Sequence, residues 1–231
     1  MIKNTIINQR IIKKIALALD ELNEQVVYVG GAVVSLYIND PAADDVRPTK
    51  DIDISLSVAT IGELEEIREN LIRKGFVQNA EDNVICRFRY EDIKLDVMNT
   101  KSLSWSPANP WFSPGFIQKQ QVTVEGKTIW ILPLHYFLAS KFAAYNDRGN
   151  NEPRTSPDFE DIVYILNNRL DIVEQLNKSP EDVKPFLKTE FLKIVNDKIT
   201  HEAIEGNLFY ENRDRRFKKI IANLEQIIKL V

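Results

Sequence analysis

The run Asp51-Ile52-Asp53-Ile54-Ser55-Leu56 constrains the fold more than any other stretch of this chain. Apolar and polar residues alternate with a period of two, as in a strand with one buried face. A strand sends residues i and i+2 to the same side, so Asp51 and Asp53 emerge together while Ile52, Ile54 and Leu56 face a core. A second run, Ile93-Lys94-Leu95-Asp96-Val97-Met98, alternates in the same way and sets Asp96 on its polar side. If the two strands are neighbours, three carboxylates meet at one edge of a sheet. An all-oxygen set of that kind suits Mg²⁺. Two such ions, about 3.5–4 Å apart, drive in-line displacement at phosphorus. A D-x-D pair alone is also what a solvated strand end contains, so its meaning depends on what precedes it.

Upstream, Val26-Val27-Tyr28-Val29 ends in Gly30-Gly31, and Ala32 to Tyr37 follows as an apolar helical stretch. Two glycines at a strand-to-helix turn permit positive φ and let a phosphate approach backbone N–H groups. Alone they read equally as a tight turn. In this order, however, the glycines, the D-x-D pair and the later single acid resemble the nucleotidyltransferase superfamily that includes DNA polymerase β, through Gly30, Gly31, Asp51, Asp53 and Asp96. The closer resemblance is to the AbiEii/AbiGii-type nucleotidyltransferases, many of which are toxins of bacterial toxin–antitoxin systems. Arg47-Pro48-Thr49-Lys50-Asp51-Ile52-Asp53 is similar to that family's R-x-T-x-D-[IL]-D. Lys141, Ala144 and Arg148 resemble its K-x-x-A-x-x-x-R helix, and Asp158 and Asp161 its D-x-x-D. The resemblance covers roughly residues 26–169 and is carried by motif order.

The resemblance implies an α+β fold: a polymerase β-like nucleotidyltransferase domain over residues 1–132, with a mixed sheet flanked by helices, then an α-helical domain over 133–231. The nucleotide is expected between them. Asp51 and Asp53 are expected to hold a metal on the triphosphate and to share a second with Asp96, the acid nearest the acceptor. The cofactor is then Mg²⁺, as two ions, with Mn²⁺ as an alternative. Gly30, Gly31 and Ser35 would cradle phosphates, and Lys141 would neutralise the departing pyrophosphate. Arg47, Thr49, Lys50, Arg148 and Asp158 complete the expected nucleotide site. Arg47 alone reads equally as a partner of Asp44 or Asp45, Asp158 as a first-turn acid favoured by the helix dipole, and Lys141 as a lysine snorkelling past aromatics.

The implied substrates are an NTP and an acceptor hydroxyl, on tRNA or on a protein, with a small-molecule acceptor as a further option and an antitoxin protein as a possible partner. An antibiotic nucleotidyltransferase of the aminoglycoside type shares the three acids but needs an acidic pocket for its polycationic drug. A non-catalytic nucleotide-binding module on the same fold is the reading from another class.

Composition narrows the field. With 231 residues, 44% hydrophobic and 28% charged, the chain has the make-up of an ordinary globular protein. Its net charge of −4 gives no global sign of a nucleic-acid binder, although a whole-chain sum can hide a basic groove. A single cysteine, Cys86, excludes an internal disulfide and a cysteine-rich zinc site. Lys3, Arg10, Lys13 and Lys14 interrupt the first residues, so these do not read as a signal peptide. The longest apolar stretch, Trp130 to Ala144, contains Pro133, His135 and Lys141 and is no membrane span. A cytoplasmic protein is expected. His135 and His201 have no nucleophile nearby in sequence, which argues against a Ser-His-Asp or Cys-His hydrolase.

The remaining elements follow from periodicity. Residues 5–24 read as an amphipathic helix, Ile61 to Lys74 as a second one stopped by Gly75. Strand signals occupy Phe76-Val77, Val84 to Tyr90 and Ile93 to Met98, with a turn at Glu91-Asp92. Arg87 and Arg89 are expected to face solvent or the substrate groove. Asn99 to Gly115 reads as a long loop whose tryptophans, Trp105 and Trp111, either stack on a base or pin the loop to the core. A hairpin about Glu125-Gly126-Lys127 follows, and from Pro133 the pattern is helical. Three or four helices are expected beyond residue 170, with a basic cluster at Arg213, Arg215, Arg216, Lys218 and Lys219 that is either a solvated face or an RNA-facing patch.

Overall fold

The computed structural model describes residues 3–49, 51–82, 84–148 and 152–230. They divide into two units. One comprises Met1–Val33 and Asp44–Pro133, the other Val34–Ala43 and Leu134–Val231.

The first unit opens with α1 (Lys3–Leu19), whose buried side is Asn8, Ile12, Ile15, Ala16 and Leu19. Its first N–H groups have no partner within the helix, and Asp45 supplies one: its carboxylate accepts from the Asn4 and Thr5 amides at 2.6 and 2.9 Å. A 3-10 turn leads into β1 (Val27–Val29), followed by β2 (Asp51–Leu56) and α2 (Ile61–Arg73). Thr60 and Glu63 close a reciprocal capping box at the start of α2. The strands β3 (Arg87–Tyr90) and β4 (Ile93–Asn99), the short α3 (Phe112–Ile117), and the hairpin β5 (Gln120–Val124) and β6 (Lys127–Ile131) complete the unit. The β5–β6 turn has positive φ at both Glu125 and Gly126, as a tight two-residue hairpin requires.

The six strands form one mixed sheet in the order β3-β4-β2-β1-β6-β5. β2 runs parallel to β4 and β1 parallel to β6; the other neighbours are antiparallel. On one face Ile52, Leu95 and Phe88 form a cross-strand row, and Ile54 lies between Val97 and Tyr28. All six are buried. Each apolar side chain so buried contributes roughly 1.5–3 kcal/mol. A slip of one residue would turn every one of them outward and drive the aspartates in. Burial therefore fixes the register, and the register fixes where the acids stand.

The second unit is helical: α4 (Leu134–Asp147), α5 (Pro157–Asn168), α6 (Ile172–Asn177), α7 (Lys184–Asn196), α8 (Lys198–Gly206) and α9 (Arg213–Leu230). The segment 34–43 belongs to it through Tyr37, stacked on Phe137 at 4.1 Å, and Asp40, paired with Arg216 at 2.8 Å. Asn39 and Asp40 also donate their amides to the Asn168 carbonyl.

The α+β class, a mixed sheet followed by helices, is as the sequence indicates, and several details differ. The stretch after Gly30 is a 3-10 helix, Gly31–Tyr37, in place of the expected α-helical turn. Val77 makes only an isolated bridge to Arg89, and the strand expected from Val84 begins at Arg87, because Arg87 N–H turns back to the Val84 carbonyl. The long loop before β5 contains α3.

Candidate active site

Two constellations of charge stand out, one in each unit. In the sheet unit they lie on the polar face of β2, β3 and β4. Asp51 is the register partner of Lys94, which faces Arg89; Asp53 is the partner of Asp96, which faces Arg87. Partners in register share a face, so all three expected acids emerge on the same side. Thr49, just before β2, accepts the Asp51 amide with its hydroxyl at 3.2 Å and ties down the start of the strand.

On β1, Val29 is paired with Asp53, and the next residue is Gly30. Gly30 has φ +72°, and a Cβ there would lie 1.8 Å from Asp53 Oδ2. The glycine is thus required twice, by its backbone conformation and by the carboxylate resting against its Cα. That is a more specific reason for a glycine than the sequence supplies. Gly31 opens the 3-10 helix that carries the chain into the second unit, where the Ser35 hydroxyl is buried with no hydrogen-bond partner among the described residues.

Arg87 is the residue that sequence reasoning underrated. Its Nε and Nη2 donate to the two oxygens of Asp96, both at 2.7 Å. Nη2 also stands 3.7 Å from Asp51. This bidentate contact raises the Arg87 pKa further above its already high ordinary value. Lys94 is 3.9 Å from Asp51, beyond hydrogen-bond reach, and Arg89 is itself held bidentately by Asp82. Nearby Cys86 is buried, and that burial pushes its thiol up to about 11, so it is no nucleophile at neutral pH.

Three carboxylates on one face, two of them directly opposite each other, fit a hard divalent cation in donor chemistry. Among the described residues, no three His, Cys, Asp or Glu side chains stand ready to hold a metal ion, and Asp96 has both oxygens on Arg87. Lys50 lies outside the described residues. Arg47 lies four residues before Asp51 and is half-buried, and the neighbouring Asp45 serves the N-terminus of α1.

The helical unit holds the second constellation. Lys141 on α4 donates to Asp158 at 3.1 Å and to Asp161 at 2.7 Å, and Arg148 donates to the other oxygen of Asp158 at 3.0 Å. Spacing explains the meeting: Arg148 follows the last residue of α4, seven residues after Lys141, and Asp158 and Asp161 lie one turn apart at the start of α5. Ser156 caps α5 by accepting the Phe159 amide. Lys141 is 5% exposed, so its ammonium does not snorkel to solvent. Asp158 sits in the first turn, as expected, yet it is buried and ion-paired as well as dipole-favoured. His135, on the same helix as Lys141, is pushed down to about 4 by burial and is neutral at ordinary pH.

Trp105 donates its indole N–H to Glu65 at 2.7 Å and meets Phe88 edge-on at 5.8 Å, which pins its loop to the sheet unit.

A model of the family described as Nucleotidyl transferase AbiEii toxin, Type IV TA system, matches residues 14–227 of the chain. No curated protein matches it. Among solved structures, it is similar to an antigenic nucleotidyltransferase-like protein from Paracoccidioides brasiliensis, at 18% identity over 86% of this chain and 92% of that one, with a TM-score of 0.49. It is also similar to the antibiotic-resistance factor ANT(2'')-Ia, at 14% identity over 84% of this chain and 96% of that one, again with a TM-score of 0.49.

Proposed function

This chain belongs to the AbiEii nucleotidyltransferase toxin family, and from that premise we propose that it moves a nucleoside monophosphate from an NTP to an acceptor hydroxyl. The observation that carries the reading is the pairing of Asp53 with Asp96 across parallel strands, with Asp51 on the same face and Gly30 against Asp53. The acceptor oxygen attacks the α-phosphorus, the bond to the β-phosphate oxygen breaks, and pyrophosphate leaves with that electron pair. Asp96, on the acceptor side, takes up the hydroxyl proton or orients it. Asp51, Asp53 and Asp96 would hold magnesium, as two ions with manganese as an alternative, which when bound neutralises charge on the transferred group and lowers the pKa of the hydroxyl.

Gly30, Gly31 and Ser35 are assigned to the triphosphate, with Arg47, Thr49 and Lys50 at the approach to β2. In the helical unit, Arg148, whose side chain is exposed, is assigned to nucleotide phosphates, and Lys141, buried against Asp158 and Asp161, to holding the frame from which Arg148 reaches out. The acceptor is taken to be RNA, a tRNA 3′ end foremost, or a protein hydroxyl. A small-molecule acceptor of the aminoglycoside type is the alternative; on the sheet Arg87, Arg89 and Lys94 stand among Asp51, Asp53, Asp82 and Asp96, so the local charge does not separate the two. The toxin family carries with it the proposal of an antitoxin partner and a cytoplasmic location. No helix among the described residues is long and apolar enough to cross a membrane.

The test is transfer of label from each α-labelled NTP, with Mg²⁺, into total tRNA and into total protein. Label that disappears with Asp51→Ala/Asp53→Ala is expected. Equal label with the double variant would contradict the assignment of the acids.

A further inference from the structure

The transfer chemistry gives Arg87 no task, yet Arg87 makes a short bidentate side-chain contact on the acid face. Both of its bonds to Asp96 are 2.7 Å long. The pair is largely withdrawn from water, with side-chain exposures of 15% and 14%. The backbone sets it: Arg87 and Asp96 are register partners in the β3–β4 hairpin, whose Tyr90–Ile93 pair closes on a two-residue turn. A fork-to-fork guanidinium contact occupies the same two oxygens that a cation ligated bidentately would use. Neither neighbouring cation duplicates it, since Arg89 is held by Asp82 and Lys94 lies 3.9 Å from Asp51.

Stability alone is a weak reason for such a pair. Withdrawing two charges from water costs about what their attraction returns, and well-packed apolar partners often serve a sheet as well. The arrangement instead keeps a positive charge on one particular carboxylate, the one that faces Asp53.

We infer that Arg87 is a positioning residue that holds Asp96 as an internal cation and competes with divalent ions for its two oxygens. The inference rests on the assignment of Asp51, Asp53 and Asp96 as the metal-holding acids. It gives the site a default state in which the third acid is aligned with Asp53 and its two oxygens are already engaged by a cation. It also makes Arg87, on a strand that carries none of the three acids, the determinant of how readily Asp96 accepts a metal.

The test is Mn²⁺ binding to the full chain without nucleotide, counted from the electron paramagnetic resonance signal of free ion. Wild type, Arg87→Gln, Arg87→Lys and Arg87→Gln/Asp96→Asn are compared. Arg87→Gln is expected to bind Mn²⁺ about tenfold tighter or more, because a unit positive charge in direct contact with the ligand has gone. Arg87→Lys is expected to fall between, and the gain is expected to vanish when Asp96→Asn is added. In melting experiments Arg87→Gln should fall below wild type in EDTA and recover with Mn²⁺, but not with NaCl of equal ionic strength. If Arg87→Gln does not fold, Arg87→Lys carries the comparison. Unchanged or weaker Mn²⁺ binding in Arg87→Gln and Arg87→Lys, a gain that survives Asp96→Asn, or no binding by any of the four proteins overturns the inference. Nucleotide and acceptor take no part, so failure of the transfer reading, seen as wild type that labels nothing, is told apart from failure of this one.

Discussion

The sheet unit and the helical unit each gather carboxylates and cations, and they differ in how completely the charges are closed off from water. Around Lys141 the contacts are 3.1 Å or shorter, and the Lys141, Asp158 and Asp161 side chains are 6, 5 and 3% exposed. Around Asp51 the nearest cations stand 3.7 and 3.9 Å away and the side chain is 42% exposed. Burial explains the contrast. A charge taken out of water must be met at hydrogen-bond distance or it unfolds its surroundings, whereas a carboxylate at the wet start of a strand can wait for a ligand. Arg87–Asp96 is the intermediate case, tightly bonded yet at the border of the open site. A closed constellation is therefore expected to report in stability, and an open one in binding and turnover.

The largest effect should come from the closed side. Lys141→Met leaves two buried carboxylates without their shared cation and is expected to cost about 3–5 kcal/mol in urea unfolding, with no recovery by Mn²⁺. Recovery by Mn²⁺ would break the contrast with Arg87→Gln, which is expected to regain stability with the metal. A smaller structural effect and a larger functional one are expected at Gly30. Gly30→Ala forces a Cβ to within 1.8 Å of Asp53 at φ +72°, at a strain of about 1–3 kcal/mol. Because the strain is relieved by moving Asp53, kcat/KM should fall further than the melting temperature suggests. A variant with lowered stability and full kcat/KM would make Gly30 a fold residue only.

Acidification sharpens the picture of the helical unit. Burial holds His135 at about 4 in the folded chain, against about 6.5 unfolded. Between those values the unfolded chain binds the extra proton, so stability is full above about pH 6.5 and is lost as the pH falls. Unfolding at pH 5.0 should be easier than at pH 7.5 by about 2 kcal/mol more in wild type than in His135→Gln. An equal pH response in the two proteins would show that His135 is not the buried group responsible. The smallest effect tests the frame of the helical constellation: Ser156→Ala removes the cap of α5 and should cost about 1 kcal/mol, measured by thermal melting.

Much of the acid site was legible because it rests on local rules. A period of two put Asp51 and Asp53 on one face and Asp96 on another strand's polar face, and burial of Ile52, Ile54, Leu95 and Val97 holds that register. The partner of Asp96 was legible too, without being read: a two-residue turn at Glu91-Asp92 pairs Tyr90 with Ile93 and so, three steps back, Arg87 with Asp96. Only the counting was needed. The ends of the expected strands were less legible, since the turn that starts β3 at Arg87 is a main-chain contact with no residue signature. Least legible was the membership of 34–43 in the helical unit. It depends on Asp40 with Arg216 and Asn39 with Asn168, contacts far apart in sequence that no periodicity announces. Likewise, motif spacing singled out Lys141, Asp158 and Asp161 but did not reveal that they are buried on one another.

The assignment of three acids to one reaction is best tested by changing them singly. Asp51→Asn, Asp53→Asn and Asp96→Asn would be compared with wild type for pyrophosphate release from NTP in the presence of an acceptor that wild type labels, with circular dichroism confirming each fold. Because the acids act as one unit, each variant is expected to lose about a thousandfold or more in kcat while remaining folded. A folded Asp96→Asn that keeps a tenth or more of wild-type turnover would contradict the placement of the reaction on this face of the sheet.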